Sequence, residues 1–211
     1  MKLSVLLLII LILSGCVGGG LGGIEVRDQT ELDASSFNQL TIITASAPVT
    51  IRTGQADKVK ANLEGTIRIT NGDQNARLRL KVVYEAGVAI LQPQFVGGVV
   101  TSYSGEPRLT LIVPDGFMTQ VSVKTASGDI DVRGLGRGLQ LESSSGDVKA
   151  ALSRNASFDL SGRVGSGKLF TSLPISWSGR NFSGKLNGGG SEFVYLVSSS
   201  GNIVIVLEDT I

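Results

Sequence analysis

Beyond residue 23, apolar and polar residues alternate with a period of two along most of the chain. Leu40 and Ile42, Val49 and Ile51, Val59, Ala61 and Leu63, and the run Arg77-Leu78-Arg79-Leu80-Lys81-Val82 each put every second side chain on one face. Such alternation predicts strands with one face on a core and the other in water. Thr53-Gly54, Asn71-Gly72-Asp73 and Ala86-Gly87 mark turns between them, and Pro114-Asp115-Gly116 ends a strand over residues 109–113. No window carries a sustained helical period, so residues 24–118 are expected to be almost wholly strand. Residues 94–105 are apolar, uncharged and split by Gly97-Gly98. They read as a strand pair or as a projecting loop, and in the second case as a contact surface.

From residue 119 the alternation becomes a repeat. Ser127-Gly128-Asp129-Ile130, Ser145-Gly146-Asp147-Val148, Ser166-Gly167-Lys168-Leu169, Ser183-Gly184-Lys185-Leu186 and Ser200-Gly201-Asn202-Ile203 follow one another at steps of 18, 21, 17 and 17 residues. Six residues before each serine stand Val121, Leu139, Leu160, Trp177 and Val194, and three after it stand Ile130, Val148, Leu169, Leu186 and Ile203. Inward positions are even before the serine and odd after it, so each Ser-Gly pair shifts the side-chain parity, as a corner or bulge does. Gly128, Gly146, Gly167, Gly184 and Gly201 are therefore expected as structural corners, with glycine serving their dihedral angles.

Each unit reads as a strand, a corner and a second strand, and five stacked units would rise roughly 20 to 25 Å. The expected fold is all-β: a single-stranded parallel β-helix or β-solenoid over residues 24–211, with irregular strands in 24–118 and the Ser-Gly repeats in 119–211. An antiparallel meander or sandwich is the alternative for the N-terminal half.

Composition narrows the chemistry. Glycine numbers 28, histidine is absent and the only cysteine is Cys16. Histidine catalysis, zinc sites of the usual ligands and serine triads are thereby excluded by inventory. Lysine and arginine total 19 against 18 acidic residues, a balance that offers no electrostatic footprint for nucleic acid.

The amino terminus has its own pattern. Lys2 precedes an apolar run over residues 3–13, which is shorter than the roughly 20 residues that span a bilayer. It ends in Leu13-Ser14-Gly15-Cys16 and resembles a prokaryotic lipobox. That resemblance implies a signal peptide over residues 1–15, cleavage between Gly15 and Cys16, and lipid on Cys16. Residues 16–23 then form a glycine-rich tether. The expected location is extracytoplasmic, on a membrane or cell surface.

The phrases Ser-Gly-Asp-Ile and Ser-Gly-Asp-Val, the strand end Leu-Ile-Val-Pro-Asp-Gly and the closing Ser-Ser-Ser-Gly-Asn-Ile-Val-Ile resemble the prokaryotic putative adhesin family, most strongly over residues 105–211 and back to about residue 38. The resemblance implies an exported β-solenoid domain that binds at a cell surface, with no catalytic residue to carry over. A non-enzymatic binding domain comes first and an envelope structural or signalling accessory second; a carbohydrate-active enzyme, suggested by the carboxylates Asp129, Asp131 and Asp147 if Asp131 points outward, is a distant third. The partners expected are the membrane, through the lipid, and an envelope protein or a surface glycan. No cofactor is expected.

In the repeat, Asp129, Asp147, Lys168, Lys185 and Asn202 would form one column. Neighbouring carboxylates repel at rung spacing, so a calcium ion on Asp129, Asp147 and Asp131 is one reading and a solvated turn column the other, favoured one. Asn155-Ala156-Ser157 and Asn181-Phe182-Ser183 match the glycosylation triplet. The apolar end Ile203-Val204-Ile205-Val206-Leu207, if an open edge, would invite strand addition from another copy or a partner, with capping by Glu208 and Asp209 as the alternative.

Overall fold

The computed structural model describes residues 23–117, 119–135, 138–190 and 192–208. The expected signal segment, Cys16 and residues 17–22 of the expected tether lie outside them. Strands β1 (Ile24–Leu32), β2 (Gln39–Thr44), β3 (Val49–Gly54), β4 (Val59–Gly72), β5 (Arg77–Glu85), β6 (Val88–Val96), β7 (Val100–Gly105) and β8 (Arg108–Pro114) fill the first half, with a 3-10 turn at Ala34–Ser36. The second half holds β9 (Gln120–Thr125), β10 (Ile130–Arg133), β11 (Leu139–Ser143), β12 (Val148–Ser153) and β13 (Phe158–Val164). These are followed by β14 (Leu169–Thr171), β15 (Ile175–Ser178), β16 (Asn181–Leu186), β17 (Phe193–Ser198) and β18 (Ile203–Glu208).

Two sheets face each other. One runs β1-β4-β8-β3-β10-β12-β18-β14 with β7 added on β4, and the other runs β15-β16-β13-β17-β11-β9-β2-β6-β5. The pairs β2/β3, β9/β10, β11/β12, β17/β18 and β13/β14 each give one strand to each sheet, and a corner carries the chain across. Within the stack the pairing is parallel and in register: Leu40, Val121, Leu139, Val194 and Leu160 align in one sheet. Val49, Ile130, Val148, Ile203 and Leu169 align in the other. Nearly all of these side chains are buried, so the period-two pattern is the inside of a solenoid. The N-terminal half shares part of this stack, because β2/β3 is a full rung and β6 and β8 add a parallel layer to the two sheets. Beyond that layer β1, β4, β5 and β7 pair antiparallel, as the alternative for this half expected.

The rungs do not stack in chain order. The last unit, β17/β18, lies between β11/β12 and β13/β14. The C-terminal strand expected at an open edge is therefore flanked by β12 and β14. Gly184, expected as a corner, lies inside β16 and pairs with Leu160 of β13 in antiparallel fashion. The cause is local: Gly179 adopts φ +62°, and a two-residue turn between Ser178 and Asn181 reverses the chain. A reversed strand can only add antiparallel, which takes the phrase out of the corner column. Trp177, aligned with the core column in sequence, is 52% exposed because β15 is the last strand of its sheet.

Residues 94–105 are strand at both ends rather than a projecting loop, but the two strands do not pair with each other. β6 lies in one sheet and β7 pairs with β4 in the other, with register shifts near Asn71. The two ends of the stack also differ. At the first end the Asp28 carboxylate accepts a bond from the Leu80 N–H at 2.6 Å and pairs with Arg79 at 3.3 Å, joining β1 to the edge of β5. At the other end β14 and β15 are short and carry no charged residue.

Candidate functional site

The register aligns five corners: Thr44-Ala45-Ser46-Ala47, Thr125-Ala126-Ser127-Gly128, Ser143-Ser144-Ser145-Gly146, Ser198-Ser199-Ser200-Gly201 and Val164-Gly165-Ser166-Gly167. Their first column is a buried line of hydroxyls at Thr44, Thr125, Ser143 and Ser198. Ser143 Oγ accepts from Gly146 N at 2.7 Å and donates to Gly128 O at 3.2 Å, and Ser198 Oγ donates to Gly146 O at 3.0 Å. Thr125 Oγ1 accepts from Gly128 N at 2.9 Å. Each hydroxyl thus closes its own corner, pins the neighbouring rung, or does both, which satisfies backbone groups that burial would otherwise strand.

The second column holds Gly128, Gly146, Gly201 and Gly167, none of which has a left-handed φ. Here the expected dihedral role is corrected. A Cβ on Gly128 would stand 2.5 Å from Ala47 O, and Cβ atoms on Gly146, Gly201 and Gly167 would meet Gly128 O, Gly146 O and Gly201 O more closely still. Glycine is required because corners stack carbonyl against α-carbon. Ala47 begins the column with no such corner before it, and lines a cavity of about 210 Å³ with Phe95, Tyr103 and Pro107. The Phe95 and Tyr103 rings meet edge-on at 5.2 Å, and the Tyr103 hydroxyl lies 3.2 Å from Ser46 Oγ.

The next column carries the charges. Asp147 N donates to Asp129 Oδ1 at 2.8 Å, Asn202 N to Asp147 Oδ1 at 2.7 Å and Lys168 N to Asn202 Oδ1 at 3.1 Å. Side-chain acceptors of one rung therefore hold the backbone of the next. Asp131 is not gathered with Asp129 and Asp147, since it pairs with Arg133 at 3.2 Å on the outer face of β10. The hydrogen bond that Arg133 donates to Asp131, then the charge of that carboxylate, raises the Arg133 pKa above its ordinary value, against a smaller opposing effect of burial. Lys185 sits on β16 and pairs with Asp159 at 3.8 Å, away from the column. Among the described residues no group of three His, Cys, Asp or Glu side chains is placed to hold a metal ion. Asn155 and Asn181 are both exposed, the first in the turn after β12 and the second beside the Gly179 turn.

Two of these features were hard to read in sequence. The hydroxyl column stands two residues before the repeat serine, where Thr125, Ser143 and Ser198 agree but Val164 breaks the pattern. The rung at Ser46 carries Ala47 in place of glycine, so no Ser-Gly phrase announces it.

A family model described as Toastrack DUF4097 matches residues 37–150, a span that holds the rungs β2/β3 and β9/β10 and most of β11/β12. The crystal structure of a putative cell adhesion protein from Clostridium sporogenes superimposes with a TM-score of 0.57 at 11% identity, covering 88% of this chain and all of that one. A putative adhesin from Bacteroides fragilis gives a TM-score of 0.35 at 13% identity, over 89% of this chain and all of that one. No curated protein matches the chain.

Proposed function

Because the chain belongs to the Toastrack DUF4097 family, we propose that it is a non-enzymatic, adhesin-type binding domain, displayed outside the cytoplasm and held at a membrane by lipid on Cys16. The observation that carries this reading is the use made of the corner side chains. Asp129 and Asp147, the acid candidates in the repeat, spend a carboxylate oxygen each on the next rung's backbone, and the buried Ser143 and Ser198 donate their hydroxyls to a carbonyl of the neighbouring rung. These groups build a stiff scaffold and leave recognition to its outer faces and ends. The Clostridium sporogenes protein shares the fold and is described as a putative cell adhesion protein, which supports the same reading by analogy. The position of β1 supports it geometrically: this first described strand is terminal in its sheet, so the chain enters the stack at the end closed by the Asp28–Arg79 pair.

Two measurements test it. The Cys16→Ser chain is expected to move from the detergent phase to the aqueous phase, and unchanged partitioning would overturn the anchor. Labelled full chain is expected to be retained on envelope preparations or glycan arrays equally with and without Asp129→Ala. Turnover of a polysaccharide that Asp129→Ala abolishes without loss of folding would replace the binding reading with an enzymatic one.

A further inference from the structure

We propose that two copies of the chain pair through β15, end to end, so that their tethered ends point away from each other. β15 reads Ile175-Ser176-Trp177-Ser178 and among the described residues is bonded on one side only, to β16. Val164 N donates to Arg180 O at 3.0 Å, so residues 180 and 182 aim their backbone groups at β13. Alternation then turns Asn181 and Ser183 toward β15, where they bond Ser178 and Ser176. The backbone groups left pointing outward are those of Ile175 and Trp177.

That spacing is self-complementary. A two-fold axis through Ser176 sets Ile175 of one copy opposite Trp177 of the other, and the reverse, so both outward N–H and C=O groups of each strand find partners. Four backbone hydrogen bonds result, and the pairing continues the antiparallel order β13-β16-β15 into the second copy. Ile175 and the half-exposed Trp177 lie on the same side as Phe182, whose ring stands 5.9 Å from that of Trp177. Across the axis each Trp177 would cover the partner's Ile175. No charge opposes this, since β15 carries none, whereas the edge at the closed end is blocked by Asp28 and flanked by Arg79.

The pairing itself is independent of the lipid on Cys16; only its consequence for membranes rests on that reading. Nine strands at about 4.8 Å make each stack roughly 40 Å long, so two joined ends put the tethers roughly 80 Å apart and on opposite sides. Such a pair bridges two facing membranes.

The test uses the full chain carrying Cys16→Ser in sedimentation equilibrium. The mass is expected to double as concentration rises. Ser176→Lys and Ser176→Glu, which place like charges opposite each other on the axis, are each expected to stay monomeric, and an equimolar mixture is expected to recover the doubled mass. A wild-type chain that stays monomeric, or single variants that still dimerise, would overturn the pairing. On vesicles, the lipidated chain is expected to cause aggregation that Ser176→Lys abolishes. Dimers in solution without vesicle aggregation would overturn the bridging arrangement and leave the pairing intact.

Discussion

The backbone N–H of Asp147 donates to Oδ1 of Asp129 at 2.8 Å, and Asn202 makes the same bond to Asp147 one rung further on at 2.7 Å. Stacked carboxylates repel, yet each here gains a backbone donor from its neighbour. Asp147→Ala removes the acceptor of Asn202 N and is expected to cost about 1 kcal/mol, or about 2–4 °C in Tm for a chain of this size. Asp147→Asn keeps an acceptor oxygen and should lose less in a circular dichroism melt. Equal losses in the two variants would show that charge, rather than the acceptor, matters.

Gly146 tests the stacking of corners. Its α-carbon lies against Gly128 O, a backbone atom that cannot turn aside. Gly146→Ala is expected to cost at least about 2 kcal/mol, as overpacking in a rigid interior does. Gly179→Ala meets nothing within 4 Å and suffers only from its φ of +62°, a cost of about 1 kcal/mol. Chemical denaturation of the two variants should separate them, with Gly146→Ala the less stable. The opposite order would mean that the rungs are not in close contact at the corner.

Ser143 is 3% exposed and serves two backbone groups at once, Gly146 N and Gly128 O. Ser143→Ala leaves both without their partner, and the expected loss is about 1–3 kcal/mol. Hydrogen exchange at Gly146 N should rise by a larger factor than at core amides such as Leu141 N. Uniform acceleration would mean that only global stability has changed.

The core was legible because period two maps directly onto inward and outward faces, and because aligned inward positions such as Val121 and Leu139 do pair. What sequence could not show was the order of the rungs. A phrase such as Ser200-Gly201-Asn202-Ile203 specifies a corner but not which corner it stacks on, and that choice depends on non-local pairing of β18 with β12 and β14. Gly184 failed for a related reason: its phrase matches the repeat, but the reversal at Gly179 settles its strand direction first. The candidate site was half legible. The Asp column emerged from spacing alone, while its side-chain-to-backbone bonds depend on a parallel register that spacing does not specify.

Asp33 gives a pH dependence with a definite sign. Its carboxylate accepts from the Ser35 hydroxyl at 2.7 Å and the Ser35 N–H at 3.0 Å, capping the 3-10 turn, and these bonds, the hydroxyl's first, hold its pKa below the ordinary aspartate range. A lowered folded pKa contributes stability that is complete above the unfolded value and is lost as pH falls through the folded one. Asp33→Ala should therefore melt below wild type at neutral pH, with the gap closing in strong acid. A gap that persists once the carboxyl is protonated would assign the effect to something other than the ionised cap.

The inserted position of the last unit makes the C terminus indispensable. In a solenoid stacked in chain order, removing the final strand only shortens the stack, because nothing later rests on it. Here β18 fills the space between β12 and β14, and it buries Ile203 and Ile205 in the core. A chain ending at Asn202 loses those side chains, strips β12 of a parallel neighbour, and leaves β14 with no strand partner at all. The exposed gap would separate the terminal strand β14 from the rest of one sheet while the other stayed joined through β17. Such a chain is expected to lose its cooperative thermal transition and to be cut by protease within β13 and β14 under conditions where the full chain resists. A truncated chain with a sharp transition a few degrees below that of the full chain would refute the inserted order and restore a stack that follows the sequence.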